Sequence, residues 1–255
     1  MKIRGKTSGY VLRTVDYGES DRIVSFFTED RGKLRGIAKG ARRSRKRFAN
    51  ALDLFSCSTI LFSAGAGDGF ALIEGCDVRK HYPGIRGNLE KTLMASYMIE
   101  LVDCFTVDGK KNPPVFALIE DFLDLFEEND ATEALLRFFE FRLLRHSGYE
   151  PSLERCIVCG TAVEEISRPT FRPADGGIRC ERCAVPEDTP WPLSQGTAKT
   201  LLYGRNLEAD RLSRVAFSPR SLGESRQVLH GMIRHIVGRE IRSLSVLQEV
   251  GRICL

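Results

Sequence analysis

The chain lacks the signatures of nucleotide and acyl chemistry. No Walker A loop, no GxGxxG and no GxSxG occurs. HExxH is also absent, and the four histidines, His81, His146, His230 and His235, are scattered. No group of carboxylates reads as a two-metal nuclease site; Glu127-Glu128 and Glu164-Glu165 read as solvated charge. Without a placed nucleophile, base or open metal, no enzyme activity is expected. The chain also lacks any run of about 18 apolar residues, which excludes a membrane-spanning helix. The basic start at Lys2, Arg4 and Lys6 is not followed by an apolar segment of the secretory kind, so no targeting segment is expected.

Cysteine is sparse and falls into two kinds. Of eight, Cys57, Cys76, Cys104 and Cys254 stand singly in mostly apolar surroundings, which fits buried thiols in a reducing cytoplasm. The other four form Cys156-x-x-Cys159 and Cys180-x-x-Cys183. Two intervening residues let both thiolates of a knuckle face one ion, and two knuckles complete a tetrahedron. The expectation is a structural Zn2+ site, because four thiolates leave no position for a reacting water. Gly160 and Gly177 are expected to supply the turns, and Arg155, Arg179 and Arg182 to offset the thiolate charge. A redox role for either pair has no βαβ context to support it.

Acid is missing from one long stretch. From Arg31 to Phe48 there is no Asp or Glu, while Lys33, Arg35, Lys39, Arg42, Arg43, Arg45, Lys46 and Arg47 are all basic. This concentration matters more than the net charge of +4. Lys33 and Arg35 fall on one face of a strand, and Arg42 to Arg47 form a loop beyond it. Gly36 and Gly40 would let a polyanion approach the backbone. Such a strand and loop suits phosphate binding driven by counterion release. Tyr10, Phe26 and Phe48 lie nearby, either to stack bases or to fill the core.

The patterning changes along the chain. Residues 1–82 hold five short runs of strand character, Gly9–Thr14, Asp21–Thr28, Lys33–Lys39, Leu54–Phe62 and Phe70–Val78. They are separated by turns at Asp16-Tyr17-Gly18, Glu29–Gly32 and Gly65–Gly69. Five strands in this length predict a small closed barrel of the OB type, with an SH3-like barrel as the alternative. Residues 83–150 switch to a helical period, with Asn88 as an N-cap and Leu89, Leu93, Tyr97, Leu101 and Phe105 on one face. Helices over Phe116–Phe126, after a Pro113-Pro114 break, and Ala131–His146 follow, the last stopped at Gly148. Residues 151–190 carry both cysteine pairs and five prolines and read as a metal-held insertion. Residues 191–255 return to helix, with Ser194 and Ser218-Pro219 as starts. The class is therefore α+β: an N-terminal barrel, then a helical domain interrupted by a four-cysteine zinc finger.

The segment Tyr17-Gly-Glu-Ser-Asp-Arg-Ile-Val, followed by Thr28-Glu-Asp-Arg-Gly-Lys-Leu-Arg-Gly-Ile-Ala-Lys-Gly-Ala-Arg-Arg, resembles the N-terminal domain of the bacterial recombination mediator family RecO. The likeness extends along nearly the full chain, through Gly148-Tyr-Glu-Pro-Ser-Leu153 into the cysteine pairs, which some family members lack. The resemblance implies an OB-fold, a helical domain and a zinc finger. It implies binding of single- and double-stranded DNA and annealing of complementary strands without nucleotide hydrolysis. Its implied partners are RecR and the C-terminal tail of single-stranded DNA-binding protein, and with RecR it implies help in loading RecA. The implied location is the bacterial cytoplasm, at the nucleoid during repair. An acidic tail with an apolar end would need a basic-rimmed groove, for which Arg137, Arg142 and Arg145 among Phe138, Phe139 and Phe141 are the candidates.

Other readings stay open on the residues alone. OB-folds with zinc knuckles also bind RNA, and charge does not distinguish the sugars. A non-catalytic interaction scaffold with an incidental basic loop is a further alternative.

Overall fold

The computed structural model describes residues 3–44, 46–65, 69–184 and 191–250. The chain forms two compact units, Met1–Asn129 and Asp130–Leu255. The division falls inside the stretch 83–150, so the first three helices belong with the barrel and the fourth does not.

In the first unit, strands β1 (Ile3–Tyr17), β2 (Asp21–Thr28), β3 (Gly32–Ala38), β4 (Cys57–Ala64) and β5 (Ala71–Lys80) close a barrel in the order β1-β2-β3-β5-β4. Every pairing is antiparallel except β3 with β5, which closes the barrel through Gly36–Ala71, Ile37–Leu72 and Ala38–Ile73. That closure needs Gly36, where a Cβ would meet the Ile73 side chain and the Ala71 carbonyl. Gly36 thus serves the seam of the barrel and is buried, a correction to its expected role in admitting a polyanion. Register shifts near Val11 and between Leu61 and Phe62 give the long strands the bend a small barrel requires. Alternation sends Val24, Phe26, Ala38, Ile60, Phe62 and Ile73 inward, with Phe48 and Leu52 from the β3–β4 connection closing the core.

Three helices follow, α1 (Pro83–Arg86), α2 (Leu89–Phe105) and α3 (Pro113–Glu128). Asn88 caps α2, its side chain accepting from the Lys91 N–H. The two prolines expected to break the chain instead open α3, with Asn112 as the cap. Proline lacks only an N–H that the first helical turn leaves unbonded anyway. The Tyr10 ring packs on Phe116 of α3 at 5.2 Å, tilted 54°. Its hydroxyl lies 3.4 Å from that of Tyr82, which in turn donates to Asp124.

The second unit starts with α4 (Glu133–His146), capped by Thr132. A small sheet of β6 (Thr170–Arg172), β7 (Gly177–Arg179) and β8 (Trp191–Pro192) forms the finger region. Helices α5 (Gln195–Gly204), α6 (Ala209–Leu212), α7 (Pro219–Val237) and α8 (Arg242–Glu249) complete it. Ser194 and Ser218 cap α5 and α7 as expected, and Gly238 ends α7 in the left-handed region at φ 66°. Helix α8 has no counterpart among the expected elements.

The charged stripe of α4 is interior. Arg137 and Glu140 are wholly buried and paired at 2.9 Å, and Arg137 Nη1 lies 2.8 Å from His230 Nε2 of α7. Burial, and then the Arg137 charge, hold His230 below its usual pKa, so the ring is neutral and Nε2 accepts from the guanidinium. Arg142 donates to the carbonyls of Gly204 and Leu207. Phe138, Phe139 and Phe141 are fully buried. The surface groove expected at Arg137, Arg142, Arg145 and these phenylalanines is therefore corrected. Only Arg145 reaches the surface, and it is engaged by Asn206 and Glu150. No helix among the described residues is long and apolar enough to cross a membrane.

Candidate nucleic-acid interface and metal centre

The basic run leaves the barrel at the end of β3 and returns at β4. Its start is held by the β1–β2 turn. The Asp21 carboxylate accepts from the Gly40 N–H at 2.8 Å and from the Ser20 hydroxyl at 2.9 Å. These bonds, that of Gly40 first, hold its pKa below the usual carboxylate value. Gly40 sits at φ 68°, where a Cβ would be strained. The Arg42 N–H donates to the Ser20 carbonyl, and the Arg42 side chain spans Asp16, Gly18 and Glu19. At the far end, the Arg47 carbonyl accepts from the Cys76 N–H of β5. The Arg47 guanidinium donates to the Lys39 carbonyl and lies 5.1 Å over the Phe48 ring.

The eight expected cations do not behave alike. Lys33 is corrected: it is buried, with Nζ on the Asp103 carboxylate at 2.8 Å and the Asp103 carbonyl at 2.6 Å. It lies on the same face as Arg35, as alternation requires, but α2 covers its end of that face. Arg35 is exposed and meets Asp108 at 3.3 Å in a pair half open to water, which holds it weakly. Arg42 and Arg47 brace the loop. Lys39, Arg43 and Lys46 are exposed, and among the described residues no side chain pairs with Arg43 or Lys46. Arg45 lies outside the described residues. The acids Asp16, Asp103 and Asp108 that sort these cations all lie outside the acid-free stretch, so the run alone gave no sign of them. Tyr10, Phe26 and Phe48 are buried in the core and are unavailable for stacking.

In the second unit, Cys156, Cys159, Cys180 and Cys183 bring their Sγ atoms within 4.8 Å of one another. Cys159 and Cys180 are 3.6 Å apart, close to the ~3.8 Å between thiolates of a tetrahedral zinc site with ~2.3 Å bonds. The first knuckle turns on Gly160, at φ 75°, with the Cys156 N–H donating to the Thr161 carbonyl. The second closes on the Cys183 N–H donating to the Cys180 carbonyl, and the Cys180 N–H points at Cys156 Sγ. The left-handed turn before β7 belongs to Gly176, not Gly177; Gly177 is a buried strand residue that Ile157 packs against. A hydrogen bond from Thr161 above all lowers the Cys159 thiol to about 6. Arg179 donates to the Cys183 carbonyl while held by Asp175, and Arg182 reaches Thr161. Four converging thiols with backbone N–H support fit a metal ion. By contrast, burial pushes the lone thiols Cys57 and Cys76 up to about 11 and about 12, as inert core groups. Cys254 lies outside the described residues.

A closed five-stranded OB-like barrel with a cationic loop, followed by helices carrying a four-thiol finger, defines a mixed α and β class of protein. The family described as Recombination protein O N terminal matches residues 1–82, and Recombination protein O C terminal matches residues 86–245. The chain is 45% identical over 252 residues to the DNA repair protein RecO of Syntrophus aciditrophicus, covering 98% of this chain and 97% of that one. It is 36% identical to the DNA repair protein RecO of Geobacter metallireducens, covering 96% and 97%. With that of an Anaeromyxobacter species it shares 35%, over 98% of both chains. The chain belongs to the RecO family.

Proposed function

We propose that this protein is a recombination mediator in DNA repair. It binds single- and double-stranded DNA, anneals complementary strands and, with RecR, helps load RecA onto single strands coated by single-stranded DNA-binding protein. The observation that carries the reading is the set of exposed cations: Arg35 on β3, and Lys39, Arg43 and Lys46 on the following loop, which is pinned at both ends. Family membership and the DNA-repair names of its relatives support it. Bringing two strands together requires screening two lines of phosphate. Fixed cations do this while releasing condensed counterions, a gain that fades as salt rises. No step breaks a covalent bond, so the protein acts without catalysis. The four cysteines hold Zn2+, which closes the shell and staples the finger. The coating protein's acidic tail and RecR are the proposed protein partners, and the cytoplasm, at the nucleoid, is the proposed site of action.

The test is annealing of complementary oligonucleotides coated with single-stranded DNA-binding protein, at two salt concentrations. Acceleration that fades at high salt, and is lost in an Arg43→Glu/Lys46→Glu variant, is the expected result. No acceleration by the wild-type protein would overturn the reading. Tighter binding to matched RNA than to DNA would move the function to RNA.

A further inference from the structure

The acid-free stretch from Arg31 to Phe48 holds a single hydroxyl, that of Ser44. Arg42 and Arg43 stand before it, and Arg45, Lys46 and Arg47 after it. Ser44 lies outside helix and strand, half-buried between the exposed Arg43 and Lys46. Its Oγ accepts from the Arg47 N–H at 3.1 Å, a local turn that serine hydroxyls commonly make. Among the described residues, no acceptor takes the hydrogen of that hydroxyl. The oxygen is therefore oriented while its proton is uncommitted.

The loop is pinned at its ends and not between them. Asp21 holds Gly40, the Ser20 carbonyl holds the Arg42 N–H, and the Cys76 N–H holds the Arg47 carbonyl. Among the described residues, no backbone hydrogen bond ties Ser44 or Lys46 to the barrel. An enzyme can thus engage the middle of the loop, and a charge added there leaves both anchors in place. A serine with cations on both sides suits a protein kinase whose peptide cleft is lined with carboxylates, since such enzymes choose substrates by charge pattern.

We propose that Ser44 is a phosphorylation site for a serine/threonine kinase of this kind, and that the phosphate switches off the loop's grip on DNA. The proposal rests on the DNA-binding reading and adds its regulation. In the modification the Ser44 Oγ attacks the γ-phosphorus of ATP. The new Oγ–P bond forms as the bond from that phosphorus to the β-phosphate oxygen breaks. ADP leaves, and the hydroxyl proton passes to a carboxylate of the kinase. The product carries about −1.5 to −2 charge at neutral pH. It stands between Arg43 and Lys46 and beside the Arg47 N–H that the hydroxyl already uses. Charge-assisted hydrogen bonds to a phosphate draw these groups away from any other anion. About two cations are then lost to DNA, and the counterion release that drives binding falls with them. The effect works on charge alone, so it acts on single strands and duplexes alike.

The experiment incubates the full chain with ATP and a serine/threonine kinase selective for serine flanked by basic residues, and maps the product by mass spectrometry. One phosphate per chain at Ser44, absent in Ser44→Ala, is expected. The same phosphopeptide is expected in protein isolated from its own cells, growing or DNA-damaged. Anisotropy of labelled oligo(dT) and of a labelled duplex, each over a salt series, then compares unmodified, phosphorylated and phosphatase-treated protein. Phosphorylation should weaken binding to both DNAs on the order of tenfold and lower the salt slope by about two. Phosphatase should restore both, and the thermal midpoint should not move. One polypeptide serves all three arms, so a folding defect in a variant cannot imitate the result. A chain without phosphate at Ser44, from the kinase reaction or from both kinds of cell, overturns the site. Phosphorylated protein that binds DNA as tightly as the unmodified form overturns the switch. If the unmodified protein binds neither DNA, the DNA-binding reading itself falls, which the separately scored phosphate mapping distinguishes.

Discussion

The Asp21 carboxylate holds the backbone N–H of Gly40 at 2.8 Å, tying the turn between the first two strands to the first residues of the basic loop. A single acid thus sets where five expected DNA contacts begin. Because the bond keeps Asp21 ionised, the anchor is complete above the ordinary carboxylate pKa and is lost as pH falls through its lowered value.

Asp21→Ala should free the loop without unfolding the barrel. Trypsin cleavage between Arg42 and Arg47 should accelerate severalfold at neutral pH, while the thermal midpoint stays close to wild type. A loop that remains protected in the variant would show that Asp21 is not its anchor.

The cations separate into structural and free. Lys33→Met strips Asp103 of its buried partner and should cost about 1–3 kcal/mol in urea unfolding. Arg43→Glu and Lys46→Glu should change stability by no more than about 0.5 kcal/mol, yet sharply weaken DNA binding. Removing one phosphate contact should also lower the salt slope by about one. Equal stability losses in both groups would contradict the division.

The buried cluster of Arg137, Glu140 and His230 should be costly to break. Arg137→Ala leaves Glu140 buried without its cation, a loss of about 3–5 kcal/mol. His230 is neutral in the fold, with burial holding its pKa below the usual histidine value. The unfolded chain therefore binds a proton first as pH falls below that value, and stability declines from there toward the lowered pKa. His230→Gln should flatten this part of the stability-versus-pH curve.

Metal analysis should return one zinc per chain. Cys183→Ser should lower that ratio and expose residues 150–183 to proteolysis, leaving the barrel's hydrogen-exchange protection intact. Full metal retention in the variant would show that Cys183 is not a ligand.

Local signals in the sequence carried through to the structure wherever the physics is short-ranged. Asn88, Ser194 and Ser218 cap their helices because a cap needs only a side chain two or three residues from an unbonded N–H. The doubled CxxC spacing placed four thiols around one point because each knuckle is a local turn. The strand runs of residues 1–82 gave the five-stranded barrel, though β1 and β4 differ in extent from the runs read for them. The phenylalanines and arginines of α4 misled because a surface stripe and a core crossing share one helical period.

The sequence by itself determined the strands, the caps, the cysteine spacing and the density of positive charge, since each is set within a few residues. Only the tertiary structure decided which cations are free. Asp103 buries Lys33 from 70 residues away, and Asp16 draws in Arg42. Burial and ion pairing depend on which distant segments meet, and a linear pattern does not encode that meeting.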